Sequence, residues 1–342
     1  WTLVGTDSLT NLQYNVNLSG KNAADNSINQ NWEQDNQAWR DWYVTLAENS
    51  KKKYKSIKLN LPSVEDLVIP PFKKIKKELS TPYDLKEMHL DYFKKNGFIK
   101  LPSVLSIGAV AMLRKEILFL LKKKFNLNKS NRFLSMEMMW TENKIIREYV
   151  LSSRIAKIAA NLLKVKCIRL YHDNILAKET GCGRTPWHCD SDHFPLDTQD
   201  VITVWIPAQA TPREMGPLSF AKPLNVYDKV SKINFNKFDT SYDKQVIKIF
   251  KEQKVSIEDG PFKLGEVSFH HNFSFHTAGK NKTNKVRIAL ANTFFSDGAR
   301  VNSNPTMVSR DWKKFIPGVK PGGIAASKLN PICWPINKKI NL

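Results

Sequence analysis

Thr185-Pro186-Trp187-His188-Cys189-Asp190 is the stretch on which the reading of this chain turns. His188 and Asp190 are two positions apart, and side chains at i and i+2 of an extended strand point to the same face. An imidazole and a carboxylate then stand side by side, with Cys189 turned away between them. These are two of the three ligands of a 2-His-1-carboxylate set, the arrangement that leaves open positions on a non-haem ferrous ion. A lone His-x-Asp arises readily by chance. The stretch needs a second histidine and a place for a co-substrate before it carries weight.

Around it the texture is that of strands. Residues 167–177, 201–208, 217–221, 266–271 and 286–296 read as strands, punctuated by Gly181, Gly183, Asp197, Pro212, Gly216 and Gly279. The long segment 222–262 is expected to hold a helix over 241–252, and connections of that length tend to be functional lids. Upstream, Thr81 or Asp84 can cap a helix running to Lys95, with Asn96-Gly97 as its stop. A short strand follows at Phe98–Leu101, then a helix over about 108–124 after Ser106, and one or two helices within 142–164. Several strands after a helical block predict a closed or double-sheet β core with helices outside it. Residues 1–30 read as an irregular extension. Residues 31–48 read as an amphipathic helix bearing Trp32, Trp39, Trp42, Tyr43 and Leu46 on one face, and 49–82 as a basic, proline-containing connector. The expected division is therefore an N-terminal extension over 1–80 and a main domain over 81–342.

Bulk properties narrow the class. The chain has 342 residues, 42% of them hydrophobic and 11% aromatic, enough for a sizeable core. No apolar run reaches membrane-spanning length. No basic n-region followed by an apolar stretch opens the chain, which begins at Trp1, so no secretory signal is expected. Cys167, Cys182, Cys189 and Cys333 show no CxxC spacing, which suits a reduced, cytoplasmic protein. The net charge of +21 raises the question of an anionic partner: nucleic acid, a membrane surface or a CoA-like substrate. Its densest clusters, Lys51–Lys53, Lys73–Lys77 and Lys122–Lys124, fall away from the His/Asp stretch and are read as solvated faces.

The missing parts of the site are sought downstream. Gly265-Glu-Val-Ser-Phe-His270-His271-Asn-Phe-Ser-Phe-His276-Thr-Ala-Gly279 places three histidines in or just after a strand-like run. Arg287 opens the next. An arginine on a neighbouring strand can make a bidentate pair with a carboxylate at the bottom of a barrel, which suits the distal carboxylate of 2-oxoglutarate. His270 and His271 rival His276 as third ligand, and the spacing to Arg287 favours His276.

Several ordered stretches together resemble the phytanoyl-CoA dioxygenase family of iron(II)/2-oxoglutarate-dependent oxygenases. They are Phe93-Lys-Lys-Asn-Gly97-Phe-Ile-Lys-Leu-Pro102, Arg169-Leu-Tyr-His-Asp173, Thr185 to Asp190, Pro195-Leu-Asp197, Val204-Trp-Ile-Pro207, Glu214-Met-Gly-Pro-Leu218 and Leu264 through His276. The similarity runs from about residue 83 to about 334. The resemblance implies a double-stranded β-helix (jelly-roll, cupin-like) core with flanking α-helices. It implies His188, Asp190 and His276 as iron ligands, Arg287 as the anchor of the distal 2-oxoglutarate carboxylate, and Asn174 and Trp205 as lining of the same pocket. One departure stands out. Some relatives carry a serine two residues past the last ligand, where this chain has Ala278; Thr277 and Thr203 are the candidates to replace it. His193 is a candidate substrate contact, and Lys178 and Thr185 are candidates to face the site.

The implied reaction consumes 2-oxoglutarate and O₂, yields succinate and CO₂ and hydroxylates an unactivated C–H bond of a small molecule, with ascorbate as a stimulant. The presence of Asp190 favours hydroxylation over the halogenation of relatives that lack this carboxylate. An anionic substrate or CoA thioester would suit the positive charge. The competing readings are a nucleic-acid-acting oxygenase or basic nucleic-acid-binding protein that keeps the fold, and a non-catalytic cupin-like module. Neither substrate nor oligomeric state is legible.

Overall fold

The computed structural model describes residues 2–6, 13–17, 56–59, 64–127, 131–234, 240–305 and 312–335. Near the start, β1 (Thr2–Thr6) pairs antiparallel with β2 (Gln13–Asn17), where composition predicts only an irregular extension. The helix expected over 31–48 and the Lys51–Lys53 cluster lie outside the described residues.

Helices come first and form the outer layer. α1 (Phe72–Ser80) stands where a connector is expected. Its lysines at 73, 74, 76 and 77 mask the signal, but Ile75 and Leu79, one turn apart, are buried in the main core. The Glu78 carboxylate accepts hydrogen bonds from Ser106 N at 2.7 Å and Ser106 Oγ at 2.6 Å, and Ser152 Oγ donates to Leu79 O at 2.7 Å. Residues 72–80 are thus already packed on the body. α2 (Glu87–Asn96) ends as expected at Gly97, whose φ of +75° is left-handed. A Cβ there would lie 2.4 Å from Leu224 Cδ1. β3 (Phe98–Leu101) follows, then α3 (Ile107–Lys124), capped by Ser106 Oγ, which accepts from Ala109 N at 3.2 Å.

β4 (Phe133–Glu137) carries little alternation and escapes a sequence reading. After the short α4 (Met139–Glu142), the helical block expected over 142–164 is two helices, α5 (Lys144–Val150) and α6 (Ser153–Leu163). Two capping side chains divide it. Asn143 Oδ1 accepts from Ile145 N and Ile146 N, each at 2.9 Å, and Ser152 Oγ accepts from Ile155 N at 3.3 Å.

The strands then arrive in sequence: β5 (Ile168–Lys178), β6 (Thr185–His188), β7 (Val201–Pro207) and β8 (Leu218–Lys222). α7 (Val226–Val230), α8 (Ser241–Glu252) and the short β9 (Ser256–Glu258) fill the long intervening segment. β10 (Val267–His271), β11 (His276–Ala278) and β12 (Arg287–Ser296) complete the core, followed by α9 (Trp312–Phe315) and β13 (Ile332–Trp334). They make a seven-stranded sheet in the order β13-β5-β12-β7-β10-β3, with β4 also on β5, and a four-stranded sheet in the order β6-β11-β8-β9.

The large sheet is covered on both faces. Outward, Ile175, Val204, Ile206, Phe269, Ile288 and Leu290 pack with Leu113, Ile117, Tyr149, Ile155 and Ile158 of the helices. Inward, Phe98, Trp205, Ala289 and Ala291 meet Leu218, Phe220 and Ala278 of the small sheet. Burial on both faces explains why β7 reads as an apolar run interrupted only by Thr203. Two facing antiparallel sheets with helices outside are the double-stranded β-helix expected. Within segment 222–262 the helix expected over 241–252 is α8, whose Tyr242, Val246 and Phe250 pack with Trp187, Cys189 and Phe275 to form a second small core behind β6 and β11.

Candidate metal and co-substrate site

β6 is the edge strand of the small sheet, and His188 is its last residue. His276, the first residue of β11, pairs with it directly. This register sets the two imidazoles side by side, ring centroids 4.2 Å apart. A bulge in the pairing lets Thr185 lie opposite Ala278 as well. Asp190 is not on the strand. It opens a 3₁₀ turn, Asp190–Asp192, but Cys189 before it is still extended at φ −116° and ψ 159°. The i, i+2 relation therefore survives the end of the strand, and Cys189 is buried with Trp187 on the opposite side. Asp190 Oδ1 lies 3.7 Å from His276 Nε2 and 4.0 Å from His188 Nε2. The ligand atoms of His188, Asp190 and His276 all lie within 4.8 Å of one another, a group that can hold a metal ion.

The backbone orients both rings. His188 Nδ1 is 2.8 Å from Pro186 O, and His276 Nδ1 is 3.0 Å from Ser274 O. A carbonyl can only accept, so Nδ1 carries the proton and the Nε2 lone pair faces Asp190. Burial, then the neighbouring imidazole (His276 for His188, His270 for His276), lowers both histidines to about 4. Both are neutral at neutral pH, the form that ligates. Burial alone would raise the Asp190 carboxyl, but His276, His270 and His188 outweigh it and hold it well below the usual carboxylate range. Two neutral imidazoles and one carboxylate are a donor set suited to ferrous iron.

Along the inner face of β12, Arg287 is 1% exposed. Burial lowers its guanidinium to about 10, with Cys182 acting in the opposite sense, so it stays charged. Its Nε makes no hydrogen bond, and no carboxylate pairs with it among the described residues. A buried cation without an anion is costly, and a dicarboxylate co-substrate would relieve that cost with a matching fork. The guanidinium carbon lies 5.5 Å from the Trp205 ring centre. Ala291 pairs with Asn174 on one side and Trp205 on the other, so the two predicted lining residues flank an alanine on the inner face. Asn174 Oδ1 accepts from Ser135 Oγ at 2.8 Å, while Trp205 Nε1 is buried without a partner.

The remaining predicted residues separate clearly. Ala278 faces inward. Thr277 Oγ1 donates to Thr185 O, with Arg184 Nη1 3.3 Å away, and Thr203 Oγ1 donates to Asp190 Oδ2 at 2.8 Å. Both threonines that could replace the serine are engaged elsewhere. Lys178 Nζ donates to Gly183 O, Ala278 O and Gly279 O at 2.8, 3.0 and 2.9 Å, tying β5 to the small sheet. His193 has its ring 6.1 Å from that of His188. His271 turns the other way, toward Phe93 and Phe273. His270 faces the site, its Nε2 3.4 Å from Asp190 Oδ2.

Two residues escaped the sequence reading. Thr293 lies on the inner face, reachable by stepping in twos from Arg287 along β12. Asp243 of α8 accepts from Trp187 N at 2.8 Å and from Arg184 at 3.1 and 2.5 Å, holding the edge of the ligand-bearing strand. No local motif announces it.

The geometry agrees with what comparison shows. A family model described as Phytanoyl-CoA dioxygenase (PhyH) matches residues 93–289, more than half of the chain. The fold is similar to that of the non-heme alpha ketoglutarate dependent carbocyclase SnoK from nogalamycin biosynthesis, at 21% identity and a TM-score of 0.61, covering 74% of this chain and 99% of that one. The epimerase SnoN from the same biosynthesis is similar at 21% identity and a TM-score of 0.59, covering 72% and 97%. EctD from S. alaskensis with 2-oxoglutarate and 5-hydroxyectoine is similar at 15% identity and a TM-score of 0.57, covering 80% and 97%. At these identities the likeness is one of fold. No curated protein matches the chain.

Proposed function

The chain belongs to the phytanoyl-CoA dioxygenase family, and on that premise we propose that it is a non-haem Fe(II)/2-oxoglutarate-dependent dioxygenase that hydroxylates an unactivated C–H bond of a small molecule. The reading rests on the pairing of His188 with His276 across the small sheet, Asp190 Oδ1 within 4.0 Å of both. His188, Asp190 and His276 would hold the iron. Bound iron with 2-oxoglutarate and O₂ supplies the oxidising chemistry, with succinate and CO₂ as co-products.

The chain's own residues prepare that site. The carbonyls of Pro186 and Ser274 hold the imidazole Nδ1 protons and so aim both Nε2 atoms. Arg287 binds the distal carboxylate of 2-oxoglutarate, and its fork and fixed charge suit that group better than a lysine would. Trp205 and Asn174 flank the co-substrate. The apolar contacts of Phe98, Phe220 and Phe262 between the sheets keep water from the barrel interior.

The similar structures include a carbocyclase and an epimerase, so hydroxylation is the narrower proposal. Asp190, holding the place that a chloride would need, speaks against halogenation only. The net charge of +21 suits an anionic substrate such as a CoA thioester. No helix among the described residues is long and apolar enough to cross a membrane, and the four free cysteines suit the cytoplasm.

The test is succinate formation from 2-oxoglutarate by the purified protein with Fe(II) and ascorbate, alongside anaerobic titration of both ligands. A native protein that takes up neither iron nor 2-oxoglutarate overturns the proposal. For a nucleic-acid role, the exposed lysines at 73, 74 and 77 and at 122–124 lie on helices outside the barrel. Steeply salt-dependent binding to DNA or RNA would be the result in its favour.

A further inference from the structure

We propose that His270 and Thr203 act together as positioning residues that hold the second oxygen of Asp190, keeping this carboxylate monodentate toward the metal. The inference rests on the proposed oxygenase reading and extends it to residues outside the ligand set. The two oxygens of Asp190 are treated differently. Oδ1 faces His276 Nε2 at 3.7 Å and His188 Nε2 at 4.0 Å. Oδ2 accepts from Thr203 Oγ1 at 2.8 Å and has His270 Nε2 at 3.4 Å.

A hydroxyl has one proton. Thr203 gives its proton to Asp190, so the contact of 3.2 Å between Thr203 Oγ1 and Thr293 Oγ1 is one in which Thr293 donates. A chain of hydroxyls thus runs from β12 through β7 to the carboxylate. The sheet register builds it, because Thr203 pairs with both Thr293 and His270. His270 is 1% exposed; its Nδ1 has no hydrogen-bond partner, and the polar neighbour of its Nε2 is Asp190 Oδ2 at 3.4 Å. An imidazole so buried would forfeit its hydrogen bonds unless it serves the site, and Asp190 Oδ2 is the acceptor beside it. A carboxylate can bind a metal through one oxygen or both. Tying Oδ2 to the sheet leaves Oδ1 for the metal and spares a coordination position for co-substrate and oxygen.

The experiment is anaerobic Fe(II) titration, repeated with Co(II), of the purified full chain, reading Kd and the visible Co(II) spectrum. The proteins are wild type and H270F, H270Q, T203V, T203S and H276A, with the melting temperature of each apo-protein as a fold control. H270F and T203V are expected to weaken metal binding by about tenfold or more and to change the Co(II) spectrum. H270Q and T203S, which keep a donor, recover most of it, and H276A loses binding outright. Metal binding by H270F and T203V equal to wild type, with an unchanged spectrum, overturns the grip while leaving the oxygenase reading intact. Complete loss in H270F with retention in H276A makes His270 a ligand and also overturns it. Wild type that binds no metal removes both. If H270F does not fold, H270Q against T203V decides: equal affinity in the two refutes the proposal.

Discussion

The two ends of the barrel interior solve the problem of buried charge in opposite ways. At the metal end, Asp190 has company from the chain: Thr203 donates to it, and the Nε2 atoms of three imidazoles stand within 4.0 Å. At the other end, Arg287 is more deeply buried, at 1% exposed, and its guanidinium carbon lies 5.5 Å from the centre of the Trp205 ring. One charge is answered by the chain and the other is not. A fold tolerates an unanswered buried cation when a ligand supplies the anion, so the contrast supports the proposal that the first end takes a metal and the second a carboxylate of the co-substrate.

The sharpest way to break this comparison is to empty the first end. H188A, D190A and H276A should each abolish Fe(II) uptake and succinate formation, a loss of at least about a thousandfold, since a three-ligand site does not survive as two. Metal analysis after anaerobic loading reads it. A D190A protein that still binds iron at native affinity would place the metal elsewhere.

Arg287 gives the next largest effect, with a reversed sign in stability. R287M should weaken 2-oxoglutarate binding by about a hundredfold, near 3 kcal/mol, because a desolvated charge pair is lost. The same change should stabilise the ligand-free protein, by about 1–3 kcal/mol, because an unpaired buried charge is replaced by an apolar side chain of similar length. Urea denaturation of both proteins, with and without 2-oxoglutarate, separates the two effects. A destabilised apo R287M would show that the chain itself answers the guanidinium, and the contrast between the two ends would vanish.

The ends also differed in how much of them could be read from the sequence. His188 and Asp190 are close in sequence, and their spacing alone puts them on one face. His276 and Arg287 sit on separate strands, and it took the spacing between them and the family resemblance of several ordered stretches to suggest that they converge. The strands of the large sheet were legible because burial on both faces makes runs such as Val201–Pro207 apolar but for Thr203. The helix Phe72–Ser80 was not, because four lysines dominate a segment whose buried face is only Ile75 and Leu79. Asp243 was illegible for a different reason. Its partners, Trp187 N and Arg184, are far away in sequence, and a carboxylate on a polar helix looks like any solvated one.

Asp243 supplies a test of what holds the metal end in place. D243A leaves the Trp187 N–H without its acceptor and Arg184 without its anion, in a pair whose side chains are 6% and 23% exposed. The expected loss is about 2–4 kcal/mol of stability, with D243N recovering part of it because an amide oxygen can still accept from Trp187 N. Chemical denaturation reads the loss. An unchanged D243A would mean that the packing of Tyr242, Val246 and Phe250 alone fixes the edge strand.

The smallest effect is in pH, and it follows from the crowding of imidazoles at one end. Burial, joined by neighbouring histidines, holds His188, His271 and His276 at about 4 in the folded protein, against about 6.5 unfolded. Between those values the unfolded chain takes up protons that the folded chain refuses, so stability falls as pH drops through this window. Asp173 opposes the trend. Burial raises its carboxyl to about 7, so its contribution is full below the ordinary carboxylate value and is lost as pH rises through 7. Three groups against one leave the balance with the histidines, and the apo-protein should melt a few degrees lower at pH 5 than at pH 7. H271Q, which removes one titrating ring outside the ligand set, should flatten that dependence. A melting temperature that rises on acidification would show that the imidazoles accept protons in place, and that the metal end is less closed to water than its geometry implies.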